Sequence, residues 1–130
     1  MVKDIFLIDD DGLVNFLNQE IIKDSYPNKN VRSFESATAA LEVLQEIIKT
    51  SNSPLPELIL LDINMPVMDG WEFLDEFEQL PKSQLENCKV IIHTSSIDPR
   101  DIAKAKTYPS VVDYLTKPLN IHSFSKIFTP

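Results

Sequence analysis

The hydrophobic positions of this chain fall in five short runs of aliphatic and β-branched residues, separated by longer stretches of mixed character. The runs cover residues 4–8, 31–34, 58–61, 90–93 and 111–115. At least four of them lack the polar alternation of a strand with one wet face. Continuous apolar runs of this length are typical of strands buried on both faces, as in a parallel sheet covered by helices.

Helical periodicity lies between these runs. The clearest helix follows Ser36, a residue type favoured as an N-cap, and should end near Thr50. Asp98 followed by Pro99 predicts the cap and first turn of a short helix through Lys106. The apolar stripe of the clearest helix, at three- and four-residue spacing, consists of Ala37, Ala40, Leu41, Leu44, Ile47 and Ile48.

Three further helices are predicted from similar stripes: one that stops before Pro27, one that stops before Pro81 and a last one near residue 121. Their apolar positions are Leu13, Phe16, Leu17 and Ile21 in the first, Phe73, Leu74, Phe77 and Leu80 in the second, and Ile121, Phe124, Ile127 and Phe128 in the third. Strand and helix thus alternate five times. This order predicts one doubly wound α/β domain over residues 1–130, with a five-stranded parallel sheet and five helices.

Composition narrows the functional classes. A chain of 130 residues fits one domain of ordinary size. Its formal net charge of −8 disfavours a nonspecific nucleic-acid binder, which needs cations to neutralise phosphates. Because no apolar run is long enough to span a membrane and no signal-peptide pattern opens the sequence, we expect a cytoplasmic protein. The single cysteine, Cys88, rules out an internal disulfide framework and a multi-cysteine metal site.

Polar side chains follow four of the five predicted strands. In an open parallel sheet, ligands bind beyond the carboxyl ends of the strands. Taken singly, an aspartate there is more often a helix cap, a threonine a strand residue and a lysine a solvated charge, but four such ends at one edge favour a site. The ends carry Asp9, Asp10 and Asp11, then Asp62, then Thr94 and Ser95, and finally Thr116, Lys117 and Pro118.

The chemistry of these groups favours a divalent cation. Asp9, Asp10 and Asp62 would repel one another strongly at close range unless a cation lay among them. Mg²⁺ prefers hard oxygen ligands, is held by one or two carboxylates, and takes water or a phosphate oxygen in its remaining positions. With Lys117 as a mobile positive charge and Thr94 as a hydroxyl donor, the set is what a phosphoryl-transfer site requires.

These residues resemble the receiver domains of two-component response regulators, over essentially the whole chain. The most specific match is segment 60–70, LLDINMPVMDG, which is similar to the phosphoacceptor strand and following loop of that family. Segment 6–10 resembles the acidic pair of the family, segment 93–95 its hydroxyl switch position, and segment 114–118 its aromatic switch and lysine. The resemblance implies a flavodoxin-like fold with strand order 2-1-3-4-5.

The resemblance also implies the chemistry of the site. Asp62 would accept a phosphoryl group from a histidine kinase or histidine phosphotransfer protein, and Lys117 would pair with that group. Mg²⁺ would be held by Asp10 and Asp62 directly, by Asp9 through water and by the backbone carbonyl of Asn64. A module of this kind assists its own phosphorylation and dephosphorylation and is not an enzyme acting on other substrates.

Switching is implied in the same way. Thr94 would turn toward the phosphoryl group and Tyr114 would swing inward, which reshapes a surface for a downstream protein target. The Lys117–Pro118 bond is expected to be cis, as in the family. The expected output is contact with a protein and not with DNA. Receivers often pair through their last helices, so a homodimer is left open.

Some features depart from or extend the family pattern. Residues 107–110, TYPS, replace the usual glycine and alanine ahead of the fifth strand and leave the geometry of that loop open. Asp11 is a third consecutive acid, interpreted as a cap or a surface charge, with tuning of the metal site as the alternative. Asp69 is a candidate cap for the third helix. Ser96 lies where a side chain could affect the attacking water, so the sequence does not set the lifetime of the phosphorylated state.

The main rival interpretation is a hydrolase of the haloacid dehalogenase type. Its signature, an apolar strand followed by Asp-x-Asp-Gly, fits segment 8–12 with Asp9 as nucleophile and Asp11 as acid/base. Against it, Leu13 stands where that family has threonine, no second acidic pair follows Lys117, and the segment around Asp62 is left unexplained. A binding-only scaffold that has lost phosphorylation is weaker still, because every chemical position is occupied.

Overall fold

The computed structural model describes residues 3–50 and 54–124. Strand and helix alternate as predicted, and a single extra turn, α4, had no periodic signal because it is too short to show one. Of the predicted last helix, Ile121 and Phe124 lie in a 3₁₀ turn, whereas Ile127 and Phe128 lie outside the described residues. The elements are β1 Asp4–Ile8, α1 Gly12–Ser25, β2 Asn30–Phe34, α2 Ala37–Thr50, β3 Leu58–Leu61, α3 Gly70–Phe77, α4 Lys82–Leu85, β4 Lys89–Thr94, α5 Pro99–Ala105, β5 Val111–Thr116 and the 3₁₀ turn Ile121–Phe124.

The five strands form one parallel sheet in the order β2-β1-β3-β4-β5, which confirms the predicted fold class. Nearly every residue of the three inner strands β1, β3 and β4 is buried. The fifth strand, β5, is not buried on both faces as its apolar run predicted. Its residues are half-buried or exposed, because β5 lies at one edge of the sheet. The edge strand β2 is likewise mostly exposed.

Two apolar layers cover the faces of the sheet. One layer packs α2, α3 and α5 against one face, and its largest fully buried side chains are Phe73 and Phe77. The other layer is smaller and holds Ile22 of α1 and Phe124 of the 3₁₀ turn. Side chains along a strand alternate between the two faces of the sheet. The residues that follow β1 and β3 therefore extend these two layers past the carboxyl ends of the strands.

Helix α1 corrects the expectation drawn from its apolar stripe. Such a stripe ordinarily faces the core, but Leu13, Phe16 and Leu17 are 65%, 59% and 50% exposed. The buried residues of this helix are instead Asn15, Asn18 and Ile22. The two asparagines therefore face a polar part of the sheet. Three of the four stripe residues face outward, whereas the fourth, Ile21, is half-buried against the smaller apolar layer.

The predicted caps are confirmed where the structure describes them. The hydroxyl of Ser36 accepts the Ala39 N–H at 3.0 Å, and the carboxylate of Asp98 accepts the Arg100 N–H at 2.9 Å. Asp69 forms a capping box at the start of α3, in which its side chain and that of Glu72 each accept the other's backbone N–H. No helix within the described ranges is long and apolar enough to cross a membrane.

Candidate functional site

The strand register brings the predicted carboxylates together. Ile8 of β1 pairs with Leu61 of β3, and the Asp62 N–H donates to the Ile8 carbonyl at 2.9 Å. Asp9 and Asp62 therefore lie side by side at the carboxyl edge of the sheet, 4% and 5% exposed. Oxygens from Asp9, Asp10 and Asp62 all lie within 4.8 Å of one another, and Asp10 is the exposed member.

Lys117 closes this cluster from the end of β5. Its backbone N–H donates to the Thr94 carbonyl at 2.8 Å, which ties the two strand ends together. Its Nζ lies 2.7 Å from Oδ2 of Asp9 and 3.2 Å from Oδ2 of Asp62. Burial lowers the pKa of Lys117, but the hydrogen bond to Asp9 and the charges of both aspartates outweigh it, so the pKa is raised and the ammonium stays charged. The Lys117–Pro118 bond is cis, as expected.

The charge balance of the cluster fits a divalent cation. One ammonium faces three carboxylates, and the ion pairs of Lys117 reach Asp9 and Asp62 but not Asp10. Clustered carboxylate oxygens, two of them buried and one open to solvent, are the hard and partly accessible donor set that Mg²⁺ uses. The residues at this edge therefore fit the metal that the sequence implied.

Asn64 and Thr94 line the same site. The Asn64 N–H donates to Oδ1 of Asp62 at 3.1 Å, and its side-chain Nδ2 donates to Oγ1 of Thr94 at 3.2 Å. Thr94 is fully buried, and its Oγ1 also accepts the Ser96 N–H at 3.3 Å. A hydroxyl that accepts two hydrogen bonds retains one proton to donate. The sequence predicted a role only for the backbone carbonyl of Asn64, whereas its side chain also contacts Thr94.

Tyr114 lies on β5 next to this region, half-buried, and its hydroxyl donates to the Ser96 carbonyl at 2.9 Å. Burial raises its pKa, and this effect outweighs the opposing hydrogen bond with Ser96. The phenol is therefore neutral and available as a donor at physiological pH.

The loop whose geometry the sequence left open is held by Tyr108. Its ring stacks on Trp71 of α3 with centroids 5.8 Å apart, and its hydroxyl donates to Asp75 at 2.8 Å. Burial, followed by the bond to Asp75, raises the pKa of Tyr108 to about 12. An aromatic contact to α3 thus fixes the segment where the family has small residues.

The cap interpretation of Asp11 is confirmed. Its carboxylate accepts the N–H groups of Leu13 and Val14 at the start of α1, and its own N–H donates to Oδ1 of Asp9 at 2.9 Å. The Asp11 side chain is thus engaged by the helix, while its backbone helps to orient a carboxylate of the cluster.

The sequence did not reveal the polar layer next to the carboxylate cluster, which consists of the buried residues Asn15, Asn18 and His93. Asn15 of α1 donates from Nδ2 to the backbone carbonyls of Asp9 at 2.9 Å and of Phe34 at 3.3 Å, which joins the ends of β1 and β2.

Burial lowers the pKa of His93 to about 4, with a smaller contribution from Lys117, so the imidazole is neutral at pH 7. The sequence offered one signal for this layer, a histidine at the end of an apolar predicted strand, whereas the pattern of α1 gave no sign that Asn15 is buried.

With this geometry established, comparison with known proteins identifies the family. Residues 5–128 match the family model described as the response regulator receiver domain. The chain belongs to the response regulator receiver domain family. Receiver domains take a phosphoryl group from histidine kinases and act on downstream targets in two-component signalling.

Individual relatives support this membership of the receiver family. The response regulator Rcp1 of a Synechocystis strain is 35% identical over 125 residues, which cover 96% of this chain and 83% of Rcp1. A two-component response regulator from Cytophaga hutchinsonii superposes with a TM-score of 0.87 at 36% identity, covering 97% of this receiver domain and 93% of that chain.

Two solved structures of relatives were obtained in informative chemical states. The Mn²⁺-bound form of response regulator Rcp1 has a TM-score of 0.75 at 33% identity, with coverage of 96% of this chain and 88% of that one. The phosphorylated cyanobacterial phytochrome response regulator RcpA has a TM-score of 0.77 at 30% identity, with coverage of 98% and 89%. The fold of this receiver domain is therefore shared with proteins solved with a divalent metal and with a phosphoryl group.

Proposed function

We propose that this chain is a single cytoplasmic receiver domain that accepts a phosphoryl group on Asp62 in a Mg²⁺-dependent reaction. The observation that carries the proposal is the meeting of three carboxylates and one ammonium at the carboxyl edge of the sheet, with Asp62 in contact with Lys117. The buried position of Asp62 beside an exposed Asp10 leaves a solvent-facing side from which a phosphodonor can approach.

Mg²⁺ is the proposed cofactor. Asp10 and Asp62 would hold it directly, Asp9 through water, and Asn64 through its backbone carbonyl. The Mn²⁺-bound form of Rcp1 supports a divalent metal in this family. When bound, the cation withdraws charge from phosphoryl oxygens and so favours their approach to a carboxylate.

The proposed reaction is an in-line displacement at phosphorus. One oxygen of Asp62 forms a bond to phosphorus while the bond from phosphorus to the donor's histidine nitrogen breaks, which leaves an acyl phosphate. Lys117, already 3.2 Å from Oδ2 of Asp62, would pair with the transferred group. Attack of water on phosphorus later releases inorganic phosphate and regenerates the carboxylate.

Thr94 and Tyr114 are the proposed switch residues. The remaining proton of the Thr94 hydroxyl is free to be donated to a phosphoryl oxygen. A phosphoryl group on Asp62 would provide that acceptor beside the buried Thr94. Such a contact stabilises one arrangement of Thr94 and Tyr114 over another and shifts their populations. The surface that changes would include α5 and β5 and would contact a protein partner, since the net charge of −8 opposes nucleic-acid binding.

The outward-facing stripe of α1 is the proposed contact for a protein phosphodonor. Leu13, Phe16 and Leu17 begin three residues after Asp10 of the acidic cluster, and exposed apolar residues of this size mark interaction sites when they are contiguous. Val67, which is 96% exposed, and Ile97, which is 76% exposed, lie in the loops that follow β3 and β4 at the same edge. A histidine kinase or phosphotransfer protein would thus bind against these exposed apolar residues, next to Asp62.

Replacing Phe16 with Ser should slow phosphoryl transfer from a protein donor and leave transfer from acetyl phosphate unchanged. Loss of one exposed aromatic contact near the centre of an interface costs roughly 1–2 kcal/mol, or about a tenfold weaker complex. Both rates are followed by radiolabel transfer. Equal slowing with both donors would mean that Phe16 acts on the site itself and would contradict the docking role.

Phosphodonor labelling tests the proposed reaction against the hydrolase alternative. A receiver loses labelling in the Asp62→Asn variant, because its acceptor oxygen is gone. A dehalogenase-type hydrolase loses labelling in Asp9→Asn, retains it in Asp62→Asn, and turns over phosphate esters. Family membership already favours the first outcome.

A further inference from the structure

Ser96 is a junction between three elements of the fold. Its backbone N–H donates to Oγ1 of Thr94 at the end of β4 at 3.3 Å, and its carbonyl accepts the hydroxyl of Tyr114 on β5 at 2.9 Å. Its own hydroxyl donates to Oδ2 of Asp101 on α5 at 2.6 Å and accepts the Asp98 N–H at 3.3 Å. One residue therefore contacts both proposed switch residues and the first turn of a helix.

The hydroxyl of Ser96 lies between the backbone N–H of the N-cap residue Asp98 and the carboxylate of Asp101 in the first turn of α5. In α3 the cap is direct, since the N–H of Asp69 donates to Oε1 of Glu72 at 3.1 Å. In α5 the equivalent acid is Asp101, third residue of the helix, but the N–H of the N-cap Asp98 reaches it only through the Ser96 hydroxyl. The Asp98 carboxylate still caps α5 directly through the Arg100 N–H, but the link from the Asp98 N–H to Asp101 passes through Ser96, a residue that also contacts the site.

The short contact to Asp101 is the strongest of the four. An O–H donating to a carboxylate at this distance is charge-assisted and roughly twice as strong as a neutral hydrogen bond. Displacing Ser96 therefore either breaks this bond or moves the first turn of α5 with it. A movement of Tyr114 or Thr94 can therefore shift α5 through Ser96, and no direct contact of either residue with the helix is needed.

We propose that Asp101 is a positioning residue that holds Ser96 in place and couples the Thr94 and Tyr114 hydroxyls to the position of α5. The inference rests on the proposed function, because it specifies how phosphorylation of Asp62 reaches a surface helix. It assigns to Asp101 a role in switching, with no contact to the phosphoryl group.

The test compares Asp101→Ala, Asp101→Asn and Ser96→Ala with the control Glu72→Ala. Glu72 is the matched acid at the same position of α3, so its loss weakens a helix cap without touching Ser96. Nuclear magnetic resonance first follows the Tyr114 ring in the unphosphorylated proteins. Acetyl phosphate and Mg²⁺ are then added, Asp62 phosphorylation is quantified by mass spectrometry, and the shift changes of the α5 amides are measured.

Asp101→Ala and Ser96→Ala should each move the Tyr114 ring signals. The variant that combines the two substitutions should move them little further, because each substitution alone already breaks the same hydrogen bond between Ser96 and Asp101. The phosphorylation-dependent shifts of α5 should fall several-fold in these variants at equal Asp62 occupancy. Asp101→Asn, which keeps an acceptor oxygen, should restore part of the response, and Glu72→Ala should retain all of it.

Different results would overturn the positioning role of Asp101 and the phosphorylation of Asp62. An undisturbed Tyr114 ring and a full α5 response in Asp101→Ala would overturn the positioning role. Equal loss in Glu72→Ala would overturn it as well, because helix capping in general would then be the cause. If the wild type is not phosphorylated at Asp62, the proposed function fails, and the signals of the unphosphorylated proteins alone decide whether Asp101 positions Tyr114.

Discussion

Replacing Asp10 with Ala is expected to abolish Mg²⁺ binding and to reduce phosphorylation of Asp62 by at least about 100-fold, since a catalytic metal stabilises the transition state by several kcal/mol. Lys117 already offsets charge on Asp9 and Asp62 through ion pairs of 2.7 and 3.2 Å. Asp10 is the exposed carboxylate of the cluster and a proposed direct ligand, so its removal would take away the donor that a hydrated cation reaches first. Isothermal titration calorimetry measures the binding, and radiolabelling with acetyl phosphate measures the reaction.

The neighbouring acid provides a matched control for Asp10. Asp11 caps α1 and lies outside the cluster of converging oxygens, so Asp11→Ala should cost about 1 kcal/mol of stability and leave Mg²⁺ affinity nearly unchanged. If Asp10→Ala binds Mg²⁺ normally, or is phosphorylated normally in the presence of a chelator, the proposed role of the metal is wrong. If Asp11→Ala loses metal binding instead, Asp11 tunes the site after all.

Replacing Gly70 with Ala is expected to destabilise the fold by about 3 kcal/mol or more, near the upper end for overpacking. A Cβ atom there would lie 2.6 Å from Cα of Ile63 and 2.8 Å from the carbonyl oxygen of Asp62. Both are backbone atoms, so relief of the overlap requires that α3 or the segment following β3 shift. A shift of the segment following β3 would displace Asp62, so phosphorylation should fall along with stability.

Gly12 offers the contrasting case in the same chain. The nearest neighbour of a Cβ atom there would be the side-chain carboxylate of Glu35, at 3.2 Å, and that flexible group can rotate away. Because alanine is also the better helix former at the start of α1, Gly12→Ala should change stability by less than about 1 kcal/mol. Urea unfolding followed by circular dichroism compares the two variants. Equal, small effects would show that α3 can move away from Ile63 at little cost.

The sequence predicted most of the fold because its signals are local. The strands β1 and β3 have the predicted bounds, and α2 begins after the Ser36 cap and ends at Thr50. Caps and apolar runs act over a few residues, so a pattern in the chain is enough to find them. The site residues Asp9, Asp62 and Lys117 could be predicted for a related reason, since parallel strands place their carboxyl ends at one edge.

What the sequence missed depends on tertiary contacts. The stripe of α1 correctly predicted a helix but not the direction it faces, because that depends on a polar layer contributed by other elements. Asn15 is buried at the end of β1, and Phe16 is exposed, although hydrophobicity alone would reverse them. The link from Ser96 to Asp101 depends on the path of a loop, which no spacing in the chain encodes.

The central claim is that Asp62 is the acceptor, and locating the added phosphoryl group tests it most directly. The protein is treated with acetyl phosphate and Mg²⁺, the acyl phosphate is trapped by borohydride reduction, and the modified residue is identified by mass spectrometry of peptides. We expect a single modification, at Asp62, that disappears when Mg²⁺ is chelated. A modification at Asp9, or unchanged labelling of the folded Asp62→Asn variant, would contradict the proposed function.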